Sequence, residues 1–323
     1  MNTWVITVNW NGAADTEACL QSLLDAKPLP YSIAVVDNGS RPGEIDRLRA
    51  WAAARGVPMR CLDDDPAHWP ADADRTARPG EIVLFASKTN RGFSGGNNVA
   101  LAYAERDPRA THFLLFNNDA TVTPSYFADL ESALAGYAET GLCCSTIYEM
   151  APPHRVWYAG GRMLPLRTLA LHNFDVPTDA GVVPTEFITG CAMLISAATL
   201  RRLGHLPECY FPAYLEDTEY SQRARDAGFP LFYVPGAVAY HRVGGTLGRY
   251  QQSLRVIYAI NRHRGFFARR TLRGARRVGA LLYLVVTKPA RAVADTLRGH
   301  PRVAWAVLSG TVDGLFSSRA RDV

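Results

Sequence analysis

Short apolar runs alternate with helical patterns along the first half of the chain. Runs rich in β-branched residues are followed by segments in which apolar positions recur with the period of an amphipathic helix. This alternation is typical of an α/β fold, in which helices cover a parallel sheet. The predicted strands are Trp4–Val8, Ile33–Asp37, Glu81–Phe85 and His112–Asn117, and the predicted helices are Thr16–Asp25, Glu44–Arg55 and Gly95–Arg106.

Polar residues gather just after the carboxyl ends of the predicted strands. They occupy Asn9–Gly12, Asp37–Ser40, Asn90–Asn98 and Asn117–Asp119. In open α/β sheets, ligands bind outside the carboxyl ends of the strands. The sequence therefore predicts a ligand site formed by these four segments.

The pattern becomes less regular after Pro124. A helix is expected over Tyr126–Ala138, and another over Ala213–Ala227, where the following glycine would end it. Strand-like runs follow at Leu231–Val234 and Ala237–Tyr240. From residue 249 onward the chain is predicted to be helical and rich in arginine.

An acidic stretch between Asp63 and Gly80 interrupts the rhythm and is predicted to be a surface loop. It contains Asp72-Ala73-Asp74, which imitates a metal-binding D-x-D sequence. Because no strand precedes it, we do not expect a metal site there.

The composition is that of a globular protein. Of 323 residues, 48% are hydrophobic and 20% are charged, and the mean hydropathy is -0.08. These values exclude a polytopic membrane protein and a largely disordered chain. The length allows one large domain or two modest ones.

The net charge of +5 combines two unlike regions. Residues 1–248 hold 20 Lys and Arg against 27 Asp and Glu, a net charge of -7, whereas residues 249–302 hold 13 against Asp295 alone, a net charge of +12. This asymmetry suggests an anionic partner for the basic segment, either a membrane surface or nucleic acid. A basic, solvated face is the alternative.

The cysteines show no regular spacing, and the N-terminus shows no secretory signal. Free thiols in a reducing compartment, and hence the cytoplasm, are the simplest expectation. The six are Cys19, Cys61, Cys143, Cys144, Cys191 and Cys209.

Two of the polar segments suit a nucleotide. Asp37, after a predicted strand, could accept hydrogen bonds from a nucleobase or a ribose, or it could simply form a turn. The glycine-rich run Asn90–Asn98 opens a helix, where free N–H groups and Arg91 could hold a diphosphate. The glycines follow the third strand rather than the first, which disfavours NAD binding.

Three further positions carry candidate chemistry. Asp119 ends an apolar strand and could bind a divalent ion, or it could cap the next segment. In the pair Glu216-Asp217, one carboxylate could accept a proton, although acidic residues also stabilise a helix N-terminus. His241, before Arg242, is either structural or a ligand of a metal or phosphate.

Taken in order, these motifs resemble the family 2 inverting glycosyltransferases with the GT-A fold, in the bacterial rhamnosyltransferase-like branch. The resemblance implies a Rossmann-like nucleotide-sugar-binding domain with a mixed, mostly parallel sheet. It rests on Val8–Gly12, Val35–Ser40, Asn90–Phe93 with Gly95–Asn97, Asn117–Asp119, Thr189–Ile195, Glu216-Asp217 and His241.

The resemblance also implies roles for individual residues. Asp217 matches the general base, and Asp119 with His241 matches the site of Mg²⁺ or Mn²⁺; Asn117 stands where the motif has its first acid. The expected acceptor-side residues are Gly190, Cys191, Glu216 and Trp157. The expected donor-binding residues are Asn9, Asn11, Asp37, Asn38, Asn90, Arg91, Gly92, Gly95, Asn97 and Asn118.

The chain is expected to divide into a glycosyltransferase domain, residues 1–248, and a basic helical segment, residues 249–323. The apolar run at residues 278–287 is far shorter than the ~20 residues that span a bilayer. With arginines on both sides, it fits a helix lying in an anionic membrane interface, on the inner face of the cell membrane. A contact between two subunits is the alternative.

The expected activity is metal-dependent transfer of a sugar from a dTDP- or UDP-sugar, such as rhamnose from dTDP-rhamnose, to a glycan or polyprenyl-diphosphate-linked acceptor. Two other hypotheses stay open at this point. A nucleotidyltransferase could share the strand-end carboxylate and the glycine-rich loop. A nucleic-acid-binding protein would use the Arg-rich segment, although we expect no nucleic acid partner.

Overall fold

The computed structural model describes residues 1–30, 32–70, 78–177, 181–242 and 253–317. The Asp72-Ala73-Asp74 sequence and the expected domain boundary at residue 248 lie outside these ranges. The fold is the predicted mixed α/β sheet covered by helices, followed by further helices at the C-terminus.

Strands and helices are numbered in chain order. The strands are β1 Thr3–Asn9, β2 Ser32–Asn38, β3 Met59–Asp63, β4 Ile82–Ser87, β5 His112–Phe116, β6 Ala120–Val122, β7 Leu142–Glu149, β8 Val156–Tyr158, β9 Gly161–Leu164, β10 Leu169–His172, β11 Val183–Pro184, β12 Ala192–Ser196 and β13 Leu231–His241. The helices are α1 Ala13–Asp25, α2 Glu44–Ala54, α3 Gly92–Ala104, α4 Tyr126–Leu134, α5 Ala197–Leu203, α6 Glu216–Asp226, α7 Leu254–Arg270, α8 Gly274–Leu297 and α9 Pro301–Phe316.

The main sheet has the strand order β11-β13-β7-β12-β5-β1-β2-β4-β3. From β5 to β3 all neighbours are parallel. β2 is buried along its whole length and β1 nearly so, as expected for parallel strands covered by helices on both faces. The carboxyl ends of these strands therefore meet at one edge of the sheet.

The second half of the sheet is mixed. β12 pairs antiparallel with both β5 and β7, whereas β13 runs parallel to β7 and antiparallel to the short β6. At the end of β13, His241 is the register partner of Ala120. This pairing brings His241 beside the residues that follow β5.

Some elements differ from the sequence expectations. α3 begins at Gly92, three residues earlier than predicted, so the glycines form its first turns rather than a free loop. α6 begins only at Glu216, because Tyr214 and Leu215 have φ angles of +83° and +73°. The two strand-like runs after α6 form the single strand β13, with an irregularity between Val234 and Val238.

Three glycines allow α7 and α9 to pack closely. A Cβ on Gly265 would lie 2.4 Å from the backbone of Gly314, and a Cβ on Gly310 would lie 2.3 Å from the carbonyl oxygen of Tyr258.

Among the described residues, no helix combines the length and the apolar character needed to cross a membrane.

The cysteines are all described, and all six are free thiols. Cys19, Cys143, Cys144 and Cys191 are buried, whereas Cys61 is exposed and Cys209 is intermediate.

We predict that Gly314→Ala destabilises the fold by about 1–3 kcal/mol, the usual cost of overpacking. A Cβ at this position would lie 2.3 Å from the carbonyl oxygen of Arg262, which is backbone and cannot rotate away. Denaturant unfolding would measure the loss. Gly136→Ala is the matched control, because a Cβ there meets nothing within 4 Å; equal unfolding midpoints for the two variants would contradict the prediction.

Candidate active site

The expected donor side begins where β1 and β2 end. Asn9 and Asp37 are register partners, and Nδ2 of Asn9 donates to Oδ1 of Asp37 at 2.8 Å. The backbone N–H of Ser40 donates to Oδ2 of the same carboxylate at 3.2 Å. Both Asn9 and Asp37 are buried. The Asp37 carboxylate is thus held rigidly at the sheet edge, where its remaining lone pairs could accept an N–H or O–H group of a nucleoside.

The turns after β1 and β2 are locked to each other. Oδ1 of Asn11 accepts the backbone N–H of Arg41 at 2.8 Å, and the N–H of Asn11 donates to Oγ of Ser40 at 2.9 Å. Asn11 itself has a φ angle of +54°, in the left-handed region that asparagine tolerates. Asn11 therefore shapes this edge of the site.

Asn38 connects β2 to the segment that follows β4. Its Nδ2 donates to Oδ1 of Asn90 at 3.1 Å and to the carbonyl oxygen of Gly92 at 3.0 Å, and its Oδ1 accepts the N–H of Arg91 at 2.9 Å. Gly39 has a φ angle of +70°, and a Cβ there would lie 2.6 Å from the backbone of residue 89. Only glycine allows the two segments to approach this closely.

The groups expected to hold a diphosphate have protein partners in this structure. Both Nε and Nη2 of Arg91 donate to Asp64, at 2.9 and 2.6 Å. The N–H of Gly92 donates to Oδ1 of Asn90, and the N–H of Phe93 donates to the carbonyl oxygen of Pro212. These contacts fix the first turn of α3 against the loop before α6.

The remaining expected donor residues make structural contacts. Nδ2 of Asn97 donates to the carbonyl oxygen of Phe93 at 2.9 Å, and Nδ2 of Asn118 donates to Oγ1 of Thr16 at 3.0 Å. A Cβ on Gly95 would lie 2.7 Å from Cβ of Arg91, so this glycine permits the tight start of α3.

The candidate metal ligands lie side by side. Nε2 of His241 is 3.1 Å from Oδ1 of Asp119, and both side chains are about nine-tenths buried. Burial disfavours the imidazolium, but the adjacent Cys191 and the hydrogen-bonded Asp119 carboxylate outweigh it and raise the pKa of His241 to about 10. Nδ2 of Asn117, at the first position of the motif, is 3.4 Å from the same imidazole nitrogen.

This pair fits a divalent cation in part. A carboxylate oxygen and an imidazole nitrogen 3.1 Å apart need a hydrogen or a cation between them, and a metal ion could take the place of the imidazole hydrogen. Among the described residues, no group of three His, Cys, Asp or Glu side chains could hold a metal ion. Asp119 and His241 would therefore share the ion with oxygens of a bound diphosphate.

Asp217 is held at the N-terminus of α6 by three donors. Oδ2 accepts the backbone N–H of Gly190 at 3.2 Å, and Oδ1 accepts the N–H and the hydroxyl of Thr218 at 2.7 and 3.2 Å. Gly190 is packed against Phe93, since a Cβ on it would lie 3.0 Å from that ring. The carboxylate of Asp217 is thus anchored between α3, α6 and the strand β12.

The two carboxyl groups of Glu216 and Asp217 have different environments. Burial and the charge of Asp217 raise the pKa of Glu216 well above its usual range, and Oε2 of Glu216 has no hydrogen-bond partner. Burial also raises the pKa of Asp217, but the N–H groups of Gly190 and Thr218 oppose this shift. The three donors therefore favour the charge on Asp217 and the proton on Glu216.

An aromatic side chain joins the two parts of the site. The ring of Trp157 packs edge-on against His241 at 4.7 Å and against His172 at 4.5 Å between centroids. Burial lowers the pKa of His172, and the opposing effects of its hydrogen bond to Trp157 and of the negative charge of Asp217 are smaller. Cys191 is buried beside His241, and its carbonyl oxygen accepts the N–H of Asn117 at 2.9 Å.

His172 was missed by the sequence analysis. It ends β10 in a region whose strands are only two to four residues long, and no motif marks it. Only its position in three dimensions, between Trp157 and the charge of Asp217, identifies it.

Comparison with known proteins fits this geometry. The profile of "Glycosyl transferase family 2" matches residues 4–202, which contain Asn9, Asp37, Asn90 and Asp119 but not Asp217 or His241. An N-acetylglucosaminyl-diphospho-decaprenol L-rhamnosyltransferase of Mycobacterium tuberculosis is 26% identical over 300 residues, covering 84% of this chain and 89% of the relative.

Two solved structures share the fold at low sequence identity. The mannosyltransferase PcManGT from Pyrobaculum calidifontis, in complex with GDP-Man and Mn²⁺, has a TM-score of 0.53 and 14% identity, over 98% of this chain and 88% of that one. GalNAc-T7 with UDP, GalNAc and Mn²⁺ has a TM-score of 0.56 and 14% identity, over 75% of this chain and 44% of that one.

The family match decides between the two enzyme hypotheses, because the profile spans more than half of the chain and is that of sugar-transferring enzymes. The fold and the mycobacterial relative agree with it. The chain therefore belongs to Glycosyl transferase family 2, resembles its rhamnosyltransferase-like branch, and is a glycosyltransferase.

Proposed function

We propose that the chain is a metal-dependent inverting glycosyltransferase in which Asp217 is the general base. The observation that carries this proposal is the pair of neighbouring carboxyl groups at the start of α6, in which burial keeps the proton on Glu216 and three donors stabilise Asp217 as a carboxylate. A base must be ionised and must be held in place, and Asp217 meets both conditions.

The reaction needs one proton transfer and one displacement. Asp217 accepts the proton of the acceptor hydroxyl while that oxygen attacks the anomeric carbon, and the nucleoside diphosphate leaves from the opposite face, which inverts the configuration. Asp119 and His241 would hold Mg²⁺ or Mn²⁺, which supplies positive charge to the leaving diphosphate. Asp37, fixed by Asn9, binds the nucleoside.

We propose a lipid-linked acceptor and a deoxysugar donor, rhamnose from dTDP-rhamnose. Support comes from the mycobacterial relative, whose name describes L-rhamnose transfer to a decaprenyl-diphosphate-linked sugar. We assign Trp157, which packs against His241 and His172, to the acceptor side of the site.

We also propose that α8 docks on the inner face of the cell membrane. Six of its apolar side chains are more than half exposed and recur at helical spacing, so they form one stripe on the side facing away from the protein. They are Val278, Leu282, Val285, Val286, Val293 and Leu297. The helix also carries exposed arginines, among them Arg276, Arg277 and Arg291, which fit anionic headgroups.

We predict that Asp217→Asn lowers kcat by at least about 100-fold, because the amide cannot accept the hydroxyl proton. Donor binding, measured by calorimetry, should change little. Asp226→Asn, an exposed aspartate at the end of the same helix, is the control. Near-normal turnover by folded Asp217→Asn would refute the assignment.

The wild-type pH profile tests the same assignment. Because burial raises the pKa of Asp217, the acid limb of kcat should lie above the usual range of an aspartate, with activity lost as the pH falls through that limb.

For the metal site, we predict that Mn²⁺ together with the nucleoside diphosphate raises the melting temperature of the wild type, and that Asp119→Asn and His241→Ala abolish this shift. Asp15→Asn is the control, since Asp15 pairs with Arg242 at 2.8 Å beside the site. Full turnover in the presence of EDTA would overturn the metal requirement.

For the membrane, we predict that a Leu282→Glu, Val286→Glu double variant loses most binding to vesicles containing phosphatidylglycerol in a co-sedimentation assay. Both side chains are exposed, at 59% and 67%, so the fold should tolerate the change. The control is Phe174→Glu, an exposed apolar residue outside the C-terminal helices. The membrane proposal fails if the wild type does not bind such vesicles and light scattering shows a wild-type dimer that the double variant does not form. The stripe would then be a subunit contact.

A further inference from the structure

The segment just before the proposed base has an unusual backbone. Tyr214 and Leu215 both lie in the left-handed region, with φ angles of +83° and +73°, and neither is a glycine. Such conformations cost free energy and persist only where the surroundings hold them. Leu215 is also the N-cap residue directly before α6, so its conformation sets the direction in which Glu216 and Asp217 leave the loop.

Helix α7 supplies the groups that hold this segment. Nδ1 of His263 lies 3.1 Å from the carbonyl oxygen of Tyr214, and Nη2 of Arg262 donates to the carbonyl oxygen of Phe211 at 3.3 Å. The exposed fractions of His263 and Arg262 are 0% and 1%, so both side chains contact protein atoms rather than solvent.

The contacts of His263 bear on its protonation state. A carbonyl oxygen can only accept, so Nδ1 carries a hydrogen in its contact with Tyr214, while Nε2 lies 3.4 Å from Nη2 of Arg262. Burial and the charge of Arg262 lower the pKa of His263 to about 3, in agreement with a neutral ring. His263 is therefore a fixed, uncharged donor to the loop.

Other contacts connect the same helix to α6. The ring of His263 packs edge-on against Tyr210 at 5.3 Å, and the hydroxyl of Tyr210 donates to Oε2 of Glu219 at 2.5 Å. Arg270, at the end of α7, lies 3.7 Å from the same carboxylate. The start of α6 is thus held by α7 through the backbone of the loop and through a buried acid.

On the other side, the loop touches the donor half of the site. The carbonyl oxygen of Pro212 accepts the N–H of Phe93 at 2.7 Å, and Phe93 packs against Gly190, which donates to Asp217. A shift of this loop would therefore move the base relative to the donor.

We propose that His263 and Arg262 are positioning residues for the transfer reaction, acting through the Phe211–Leu215 loop on the carboxylate of Asp217. The proposal rests on the proposed role of Asp217 as the base. It gives the basic C-terminal segment a part in catalysis, in addition to any role at a membrane.

Two substitutions of His263 separate positioning from simple packing. Nδ2 of an asparagine lies near the position of Nδ1, so His263→Asn keeps a donor for the carbonyl oxygen of Tyr214. The amide of a glutamine reaches instead toward the position of Nε2, so His263→Gln loses that donor. Both variants are neutral and polar.

We expect His263→Gln in the full-length protein to lower kcat by roughly 100-fold, because a small misplacement of a catalytic group has an effect of this size. The donor KM and the donor affinity measured by calorimetry should change less than about threefold. His263→Asn should recover most of kcat. Arg262→Met removes the donor to Phe211 and should show the same separation of kcat from KM. This variant tests the proposal if His263→Gln does not fold.

Several outcomes would overturn the proposal: equal kcat values for the Asn and Gln variants, a loss confined to the donor KM, or a fall in melting temperature with unchanged kcat of the folded protein. Asp217→Asn, assayed in parallel, distinguishes the two proposals. If that variant is inactive and His263→Gln is normal, only the positioning role fails; if Asp217→Asn is active, the base assignment itself fails.

Discussion

The site depends on the register of parallel strands. Asn9 and Asp37 are paired across β1 and β2, and this pairing places an amide and a carboxylate 2.8 Å apart at the end of the sheet. Both side chains are buried, so neither can be exchanged for an apolar group without leaving its partner unsatisfied. The turns that follow, with Ser40 and Asn38, are then built onto this pair. Regular secondary structure therefore determines the donor side of the site almost completely.

The part of the candidate site around Asp217 and His241 depends on contacts between segments that are far apart in the chain. Asp217 is oriented by Gly190, His241 reaches Asp119 because β13 pairs with β6, and Trp157 joins His241 to His172. Of these contacts, only the one between His241 and Asp119 follows from a strand pairing. The positions of Asp217, Trp157 and His172 follow instead from side-chain packing and from the Phe211–Leu215 loop. Helix α7 packs against this loop.

This difference explains what the sequence could predict. Four of the five strands up to β5, and three helices, have strong periodicity, and from them we predicted Asn9, Asp37 and Asp119 as site residues. The strand β3 was not anticipated, since its residues are all partly or fully exposed. The start of α6 was placed three residues too early, because the left-handed conformation of Tyr214 and Leu215 has no glycine to signal it. His172 and His263 belong to no motif, and their roles come only from distant partners.

The structure shows that the cations of the basic segment after residue 248 are not all at the surface. The excess of positive charge after residue 248 suggested an anionic partner for that segment. Two of its cations, Arg262 and Arg264, are instead buried and donate to Phe211 and Thr168, within the part of the chain that carries the site. A buried guanidinium is stable only if such acceptors satisfy its donors. The arginines of α8 and its apolar stripe remain at the surface, so the basic segment has an inner face packed against the rest of the protein and an outer face that is exposed.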